Sequence, residues 1–199
     1  MVAVTRTVAP ELVVMRVAVF LGSRAGTAKA FQDAAEALGL ALAEAGIGLV
    51  YGGAAIGLMG IVADAALSRG GEVIGVLPRS LSGAEIAHGA LSRLHIVESL
   101  QERKTVMAAM ADGFVALPGG IGTMDELFEM WTWTQLGYQA KPCGILNVEG
   151  FYDHLIAQIE TFVSNGFLTP SERDVLIHEK DIGPLISRLA ARIREAAAR

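Results

Sequence analysis

Short, nearly uninterrupted apolar runs alternate with longer helical patterns along most of the chain, and this alternation leaves few folds open. The runs are "RVAVFLG" (16–22), "IGLVYGG" (47–53), "EVIGVLP" (72–78), "SRLHIVE" (92–98), "GFVALPG" (113–119) and "KPCGILNV" (141–148). Most are too apolar to belong to strands with one wet face, so they predict strands covered on both sides. Helical patterns lie between them near 27–45, 57–69, 99–111, 123–136 and 151–165, with another near 182–198. A series of this kind predicts an α/β fold: a doubly wound, mainly parallel sheet with helices on both faces.

At 199 residues, 52% hydrophobic and 19% charged, the chain can bury a substantial core within one domain. No linker, repeat or low-complexity tract divides it, so residues 15–199 read as one domain after an N-terminal extension over 1–14. A net charge of −5 gives no general attraction for nucleic acid or anionic membrane. Any phosphate must therefore be held by a local site, which favours a small ligand over a polymer. The lone Cys143 has no internal disulfide partner, and no Cys/His spacing resembles a zinc site. These features predict a reducing cytoplasm, no structural metal, and a Cys143 that is simply a small buried residue. The segment "MRVAVFLGSRAGTAKA" loosely resembles a secretory leader, but its apolar core is too short and Arg24 and Lys29 follow closely. No other apolar run reaches the roughly 18 residues of a membrane span.

Three glycine-rich loops each follow a strand and open a helix: "GSRAG" (22–26), "GGAAIG" (52–57) and "GGIG" (119–122). In open parallel sheets ligands collect beyond the carboxyl ends of the strands, where such loops converge. A helix start offers unpaired N–H groups, and glycine lets an anion come close to them. Gly119, Gly120, Gly122 and the hydroxyl of Thr123 thus form a candidate phosphate cradle. One glycine turn alone would serve an ordinary strand-to-helix connection equally well; three on one sheet edge favour nucleotide binding. None has the G-x-x-x-x-G-K-[ST] pattern, and "GGAAIG" departs from the dinucleotide fingerprint, so an ATPase or redox enzyme is disfavoured. The longest irregular stretch, "RSLSGAEIAHGA" (79–90), reads as a lid or substrate loop.

Asp125 and Glu126 follow the third loop directly. Thr123 and Glu126 have the T-x-x-E spacing of a capping box, which explains Glu126 without any chemistry; first-turn acids also suit the helix dipole. In "SLQERKTVMAAMADG" (99–113), Val106, Met107 and Met110 face inward, while Glu102, Arg103 and Lys104 occupy the first turns. Two cations early in a helix oppose its dipole. They form either a solvated face or one that meets something negative, in which case Arg103 faces Glu126 or a phosphate.

Taken together, "ERKTVM", "LPGGIGTMDE" and "WTWTQLG" resemble the R-K and PGGxGTxxE signature of the LOG family. These are cytokinin-activating phosphoribohydrolases, often labelled lysine decarboxylases. The resemblance runs from Arg16 to about Ile177 and includes "VFLGSRAG", "LVYGGAAIGLMG", "VIGVLP" and "KPCGILNVEGFYDHL". It implies a Rossmann-like homodimer that cleaves the N-glycosidic bond of a nucleoside 5'-monophosphate, releasing free base and ribose 5-phosphate. Family substrates are N6-modified adenosine monophosphates and often AMP itself. By position, Arg103 and Glu126 match the catalytic pair. Glu85, Lys104, Gly119, Gly120, Ile121, Gly122, Thr123 and Thr132 match substrate-binding positions, with Arg103 contributing there too and Met124 and Asp125 included from within the motif. Leu21, Ala54 and Ile121 depart from common family residues; Ala54 and Ile121 bear on the fit around sugar or base.

Cleaving a ribosyl C–N bond builds positive charge on the sugar, which a carboxylate stabilises. The resemblance gives Glu126 that role, activation of water, or both, and has Arg103 position phosphate or carboxylate. His88 is a loop candidate for protonating the departing purine, although a lone loop histidine is more often solvated. No metal or redox cofactor is called for, and no lysine is marked as a pyridoxal carrier. Two rival readings stand beside this one. One is a nucleotide or molybdenum-cofactor carrier, which needs the cradle but no carboxylate at the sugar; the other is an AMP nucleosidase. Met124, Phe128, Trp131 and Trp133 make their helix apolar around much of its circumference, through core packing or a subunit contact.

Overall fold

The computed structural model describes residues 15–81 and 87–198. The expected N-terminal extension, the centre of the 79–90 loop and Glu85 with it lie outside the described residues. Seven strands are seen among those described: β1 (Arg16–Phe20), β2 (Gly48–Tyr51), β3 (Val73–Pro78), β4 (Arg93–Val97), β5 (Gly113–Ala116), β6 (Cys143–Leu146) and β7 (Leu176–Glu179). They form one sheet in the order β4-β3-β2-β1-β5-β6-β7, with every pairing parallel.

The helices are α1 (Lys29–Glu44), α2 (Gly57–Ser68), α3 (Leu100–Met110), α4 (Ile121–Gln135), α5 (Asp153–Ser164), a single turn α6 (Pro170–Arg173) and α7 (Ile182–Ala197). Strand alternation divides the core in two. Val17, Val19 and Leu21 of the β1 region pack with α1, α2 and α7 on one face. Ala18 and Phe20 pack with α3, α4 and α5 on the other. Both faces are dry, which is why the inner strands read as continuous apolar runs.

After β4 the chain returns through α3 and places β5 against the free side of β1, with Val19 opposite Val115. The strand order reverses there, and the loops leaving β1 and β5 diverge around a crevice at their carboxyl ends.

The six anticipated strands and six longer helices all form. β7 and α6 were not anticipated. β7 is a four-residue edge strand with two buried residues and two outlying polar ones, too short to establish a period. α6 did carry a signal: Thr169 begins T-P-S-E, and in the structure its hydroxyl and the Glu172 carboxylate form a true capping box, with proline in the first turn.

Candidate active site

The chain leaving β5 is fixed before it turns. Tyr152 is buried, and its hydroxyl donates to the Leu117 carbonyl oxygen at 2.5 Å. Gly120 then serves as the N-cap of α4 without any side-chain capping bond. The first intrahelical bond runs from the Met124 N–H to the Gly120 oxygen at 3.2 Å. The N–H groups of Ile121, Gly122 and Thr123 therefore lie outside the helical ladder, as an anion site requires.

This start corrects the capping-box expectation. Thr123 is the third residue of α4 rather than its cap, and no acid lies in the first turn. Asp125 and Glu126 fall in the second turn, past the region where a carboxylate would compete with a bound phosphate. The shift arises because glycine serves as an N-cap, so the helix needs no hydroxyl to begin.

Arg103 and Lys104 are not a solvated face. Ser99 caps α3 by accepting the Glu102 N–H at 3.0 Å, and the two cations point inward, only 7% and 9% exposed. Arg103 runs beneath the β2–α2 loop, where Gly52 makes room for it: a β-carbon at Gly52 would stand 1.8 Å from an Arg103 terminal nitrogen. The guanidinium reaches to 3.8 Å from Glu126 Oε1, a close ion pair rather than a hydrogen bond. Its Nε is buried with no hydrogen-bond partner among the described residues, a donor that costs stability when left unmade.

Lys104 turns the other way. Its ammonium donates to Asp125 Oδ2 at 2.9 Å and pairs with Glu129 Oε2 at 2.6 Å. Burial lowers its pKa, but the hydrogen bonds and charges of Glu129 and Asp125 together raise it above the ordinary lysine value. Asp125 thus gains a structural role, fastening α4 to α3. Glu129 was missed by sequence reasoning, although Asp125 and Glu129 are four residues apart and so share a helix face.

A cavity of about 480 Å³ opens at the β1–β5 switch point, within the usual range for small-molecule sites. Arg103, Gly119, Gly120, Ile121, Gly122, Thr123 and Glu126 all line it. Of the other expected residues, Lys104, Met124, Asp125 and Thr132 do not, and Thr132 is exposed. Sequence reasoning did not single out Phe31 and Phe151, which meet edge to face at 5.6 Å and wall the cavity with Leu58 and Met59. They converge from the first turns of α1 and α2 and from the turn before α5, so no local pattern marks them.

His88 is also placed differently from expectation. It is buried, accepts the Ala90 N–H on Nδ1 at 3.3 Å and contacts Asp64 Oδ1 through Nε2 at 3.0 Å. With Nδ1 accepting, the proton sits on Nε2 and is given to Asp64. His88 does not line the cavity and is neither solvated nor placed to protonate a ligand. Cys143 is fully buried, and burial pushes its thiol pKa up despite an opposing hydrogen bond from Thr134, so it is an inert core residue.

A parallel sheet in this order, with a glycine-rich, carboxylate-bearing cavity at its switch point, defines a Rossmann-like protein with a small-molecule site. The chain belongs to the LOG family, whose family model, described as possible lysine decarboxylase, matches residues 59–189. It is 45% identical to a probable cytokinin riboside 5'-monophosphate phosphoribohydrolase of Oryza sativa subsp. japonica, over 87% of this chain and 77% of that protein. It is 44% identical to a cytokinin riboside 5'-monophosphate phosphoribohydrolase of Rhodococcoides fascians, over 87% of this chain and 88% of that one. Among solved structures it resembles the molybdenum cofactor binding protein of Rippkaea orientalis (TM-score 0.70, 19% identity, 92% and 99% of the two chains). The molybdenum cofactor carrier protein of Chlamydomonas reinhardtii is also similar (TM-score 0.67, 22% identity, 91% and 99% covered). At these identities the structural likeness is one of fold.

Proposed function

We propose that this chain is a phosphoribohydrolase that cleaves the N-glycosidic bond of adenosine 5'-monophosphates, N6-modified ones included, to free base and ribose 5-phosphate. The observation that carries the reading is the Arg103–Glu126 pair in the same cavity as the unpaired N–H groups at the start of α4. Glu126 lies five residues beyond Ile121, about 7.5 Å along the helix axis. That distance is comparable with the reach of a ribose from its 5'-phosphate to its anomeric carbon.

With the phosphate on the α4 N–H groups, the Glu126 carboxylate faces the sugar. As the C1'–N bond breaks, its electron pair leaves with the base and positive charge gathers on the ring, where Glu126 opposes it. Water adds to the same carbon; among the described residues Glu126 is the carboxylate lining the cavity and takes the water's proton, while the departing base takes up a proton from solvent and leaves as free base. Arg103, seated on Gly52, holds that carboxylate in place. Phe31, Leu58, Met59 and Phe151 offer the apolar surface suited to a purine. Among the described residues no lysine lines the cavity, which disfavours a pyridoxal decarboxylase. A carrier would need the cradle but no buried arginine aimed at a carboxylate beyond it. We further propose one catalytic domain over 15–199, acting as a cytoplasmic homodimer. No described helix is long and apolar enough to cross a membrane.

The test is incubation with AMP and with isopentenyladenosine monophosphate, resolving free base by chromatography. Release from either supports the reading; binding without release overturns it. A sharper check uses the seat under the arginine. The three atoms nearest a methyl group at Gly52 belong to the side chains of Arg103 and Met59 rather than to backbone, so Gly52→Ala is expected to fold, with a thermal melt to check it. By displacing the guanidinium it should lower turnover by roughly a hundredfold, the scale of loss for a misplaced site residue. Wild-type turnover in Gly52→Ala would show that the Arg103 position is immaterial.

A further inference from the structure

Resting on the phosphoribohydrolase reading, the charges around the cavity raise a question of balance. Among the described residues, Arg24, Arg103 and Glu126 are the charged ones that line it. Arg103 is spent on Glu126, so a dianionic phosphate at the α4 start would meet backbone N–H groups and Thr123 but no cation beneath it. Arg24 is the remaining positive charge.

The root of Arg24 is fixed while its head is not. The Gly22 N–H donates to the Pro118 oxygen at 3.2 Å, and the Leu58 N–H donates to the Gly22 oxygen at 3.2 Å. Gly57 has a φ of +58°, and a β-carbon there would stand 2.3 Å from the Ser23 oxygen and 2.7 Å from the Arg24 nitrogen. The backbone of 22–24 is thereby clamped between the β5–α4 turn and the start of α2. The Arg24 side chain is exposed, with no ion pair or hydrogen bond among the described residues.

We propose that Arg24 is a phosphate-binding residue that closes over the 5'-phosphate from the side opposite the α4 start. It would confer the preference for nucleoside monophosphates over unphosphorylated nucleosides. A guanidinium suits this task because its donors can engage two phosphate oxygens at once. A clamped backbone limits the freedom lost when the side chain closes.

The experiment measures ribose 5-phosphate binding by calorimetry, and KM for AMP, in wild type, Arg24→Ala and Arg24→Lys, with thermal melts to confirm folding. Arg24→Ala is expected to weaken ribose 5-phosphate binding and raise KM by about tenfold or more, the scale of a charge-assisted hydrogen bond. Arg24→Lys should recover part of the loss, and added salt should narrow the difference between wild type and alanine. Wild-type affinity and KM in Arg24→Ala would overturn the inference while leaving the enzyme reading intact. If wild type binds ribose 5-phosphate but releases no base, the enzyme reading falls and the binding comparison still decides Arg24. If wild type neither binds ribose 5-phosphate nor releases base, both fall together.

Discussion

Exchange of Glu126 for glutamine is expected to lower base release on the order of a thousandfold, the range for losing an electrostatic or general-base contribution at a reacting centre. Glutamine keeps the shape but neither the charge that opposes the sugar cation nor the capacity to take the water proton. Because α4 starts at Ile121 and Glu126 lies in its second turn, the substitution removes no helix cap. Ribose 5-phosphate affinity should therefore stay close to wild type, while the melting temperature falls somewhat because the buried Arg103 loses its anion. Single-turnover assays with AMP, scored beside a thermal melt, separate these readouts. Turnover within tenfold of wild type would remove Glu126 from the chemistry.

The second large effect is expected at Arg103. Arg103→Ala should reduce turnover about a hundredfold and also destabilise the fold by about 1–3 kcal/mol, since the Glu126 carboxylate, 13% exposed, loses its close cation. Both variants break the same buried pair, so both lose stability, and turnover rather than melting temperature ranks them. If the two residues act as one unit, the double variant should be scarcely slower than the worse single one. Fully multiplicative losses would mean that Arg103 works elsewhere in the cavity. Chemical denaturation and the same single-turnover assay supply both measurements.

Much of the sheet could be read from the chain because its strands are buried on both sides and so announce themselves as apolar runs. β7 escaped because an edge strand of four residues carries too little pattern. At the site, chain order allowed Arg103 to face either Glu126 or a phosphate, since α3 feeds β5 and β5 feeds α4, and the family resemblance marked the two as a pair; the structure sets Arg103 beside Glu126. It erred on how Glu126 is held. A T-x-x-E string is equally readable as a cap or as part of a helix already begun, and only the backbone of Gly120 decides. The burial of Arg103 and Lys104 was hidden for a related reason. Their concealment depends on Gly52 and on the Asp125–Glu129 face, each contributed by a different part of the chain. Arg24 and Phe151 sat inside the stretches "GSRAG" and "KPCGILNVEGFYDHL" without being singled out for the site, and Phe31 lay outside them; proximity makes all three part of the cavity.

The bond from Gly22 to Pro118 joins the first strand's loop to the fifth strand's loop across the seam where the two halves of the sheet meet. The cavity is therefore a property of that seam and of neither half. A nascent chain that has completed β1 to α3 already owns Arg103 and the loops around Gly22 and Gly52, but has nowhere to put a phosphate. Competence arrives when β5 docks and α4 forms behind it. Any ligand held there ties the halves together, so occupancy of the site and integrity of the sheet centre rise and fall as a single quantity.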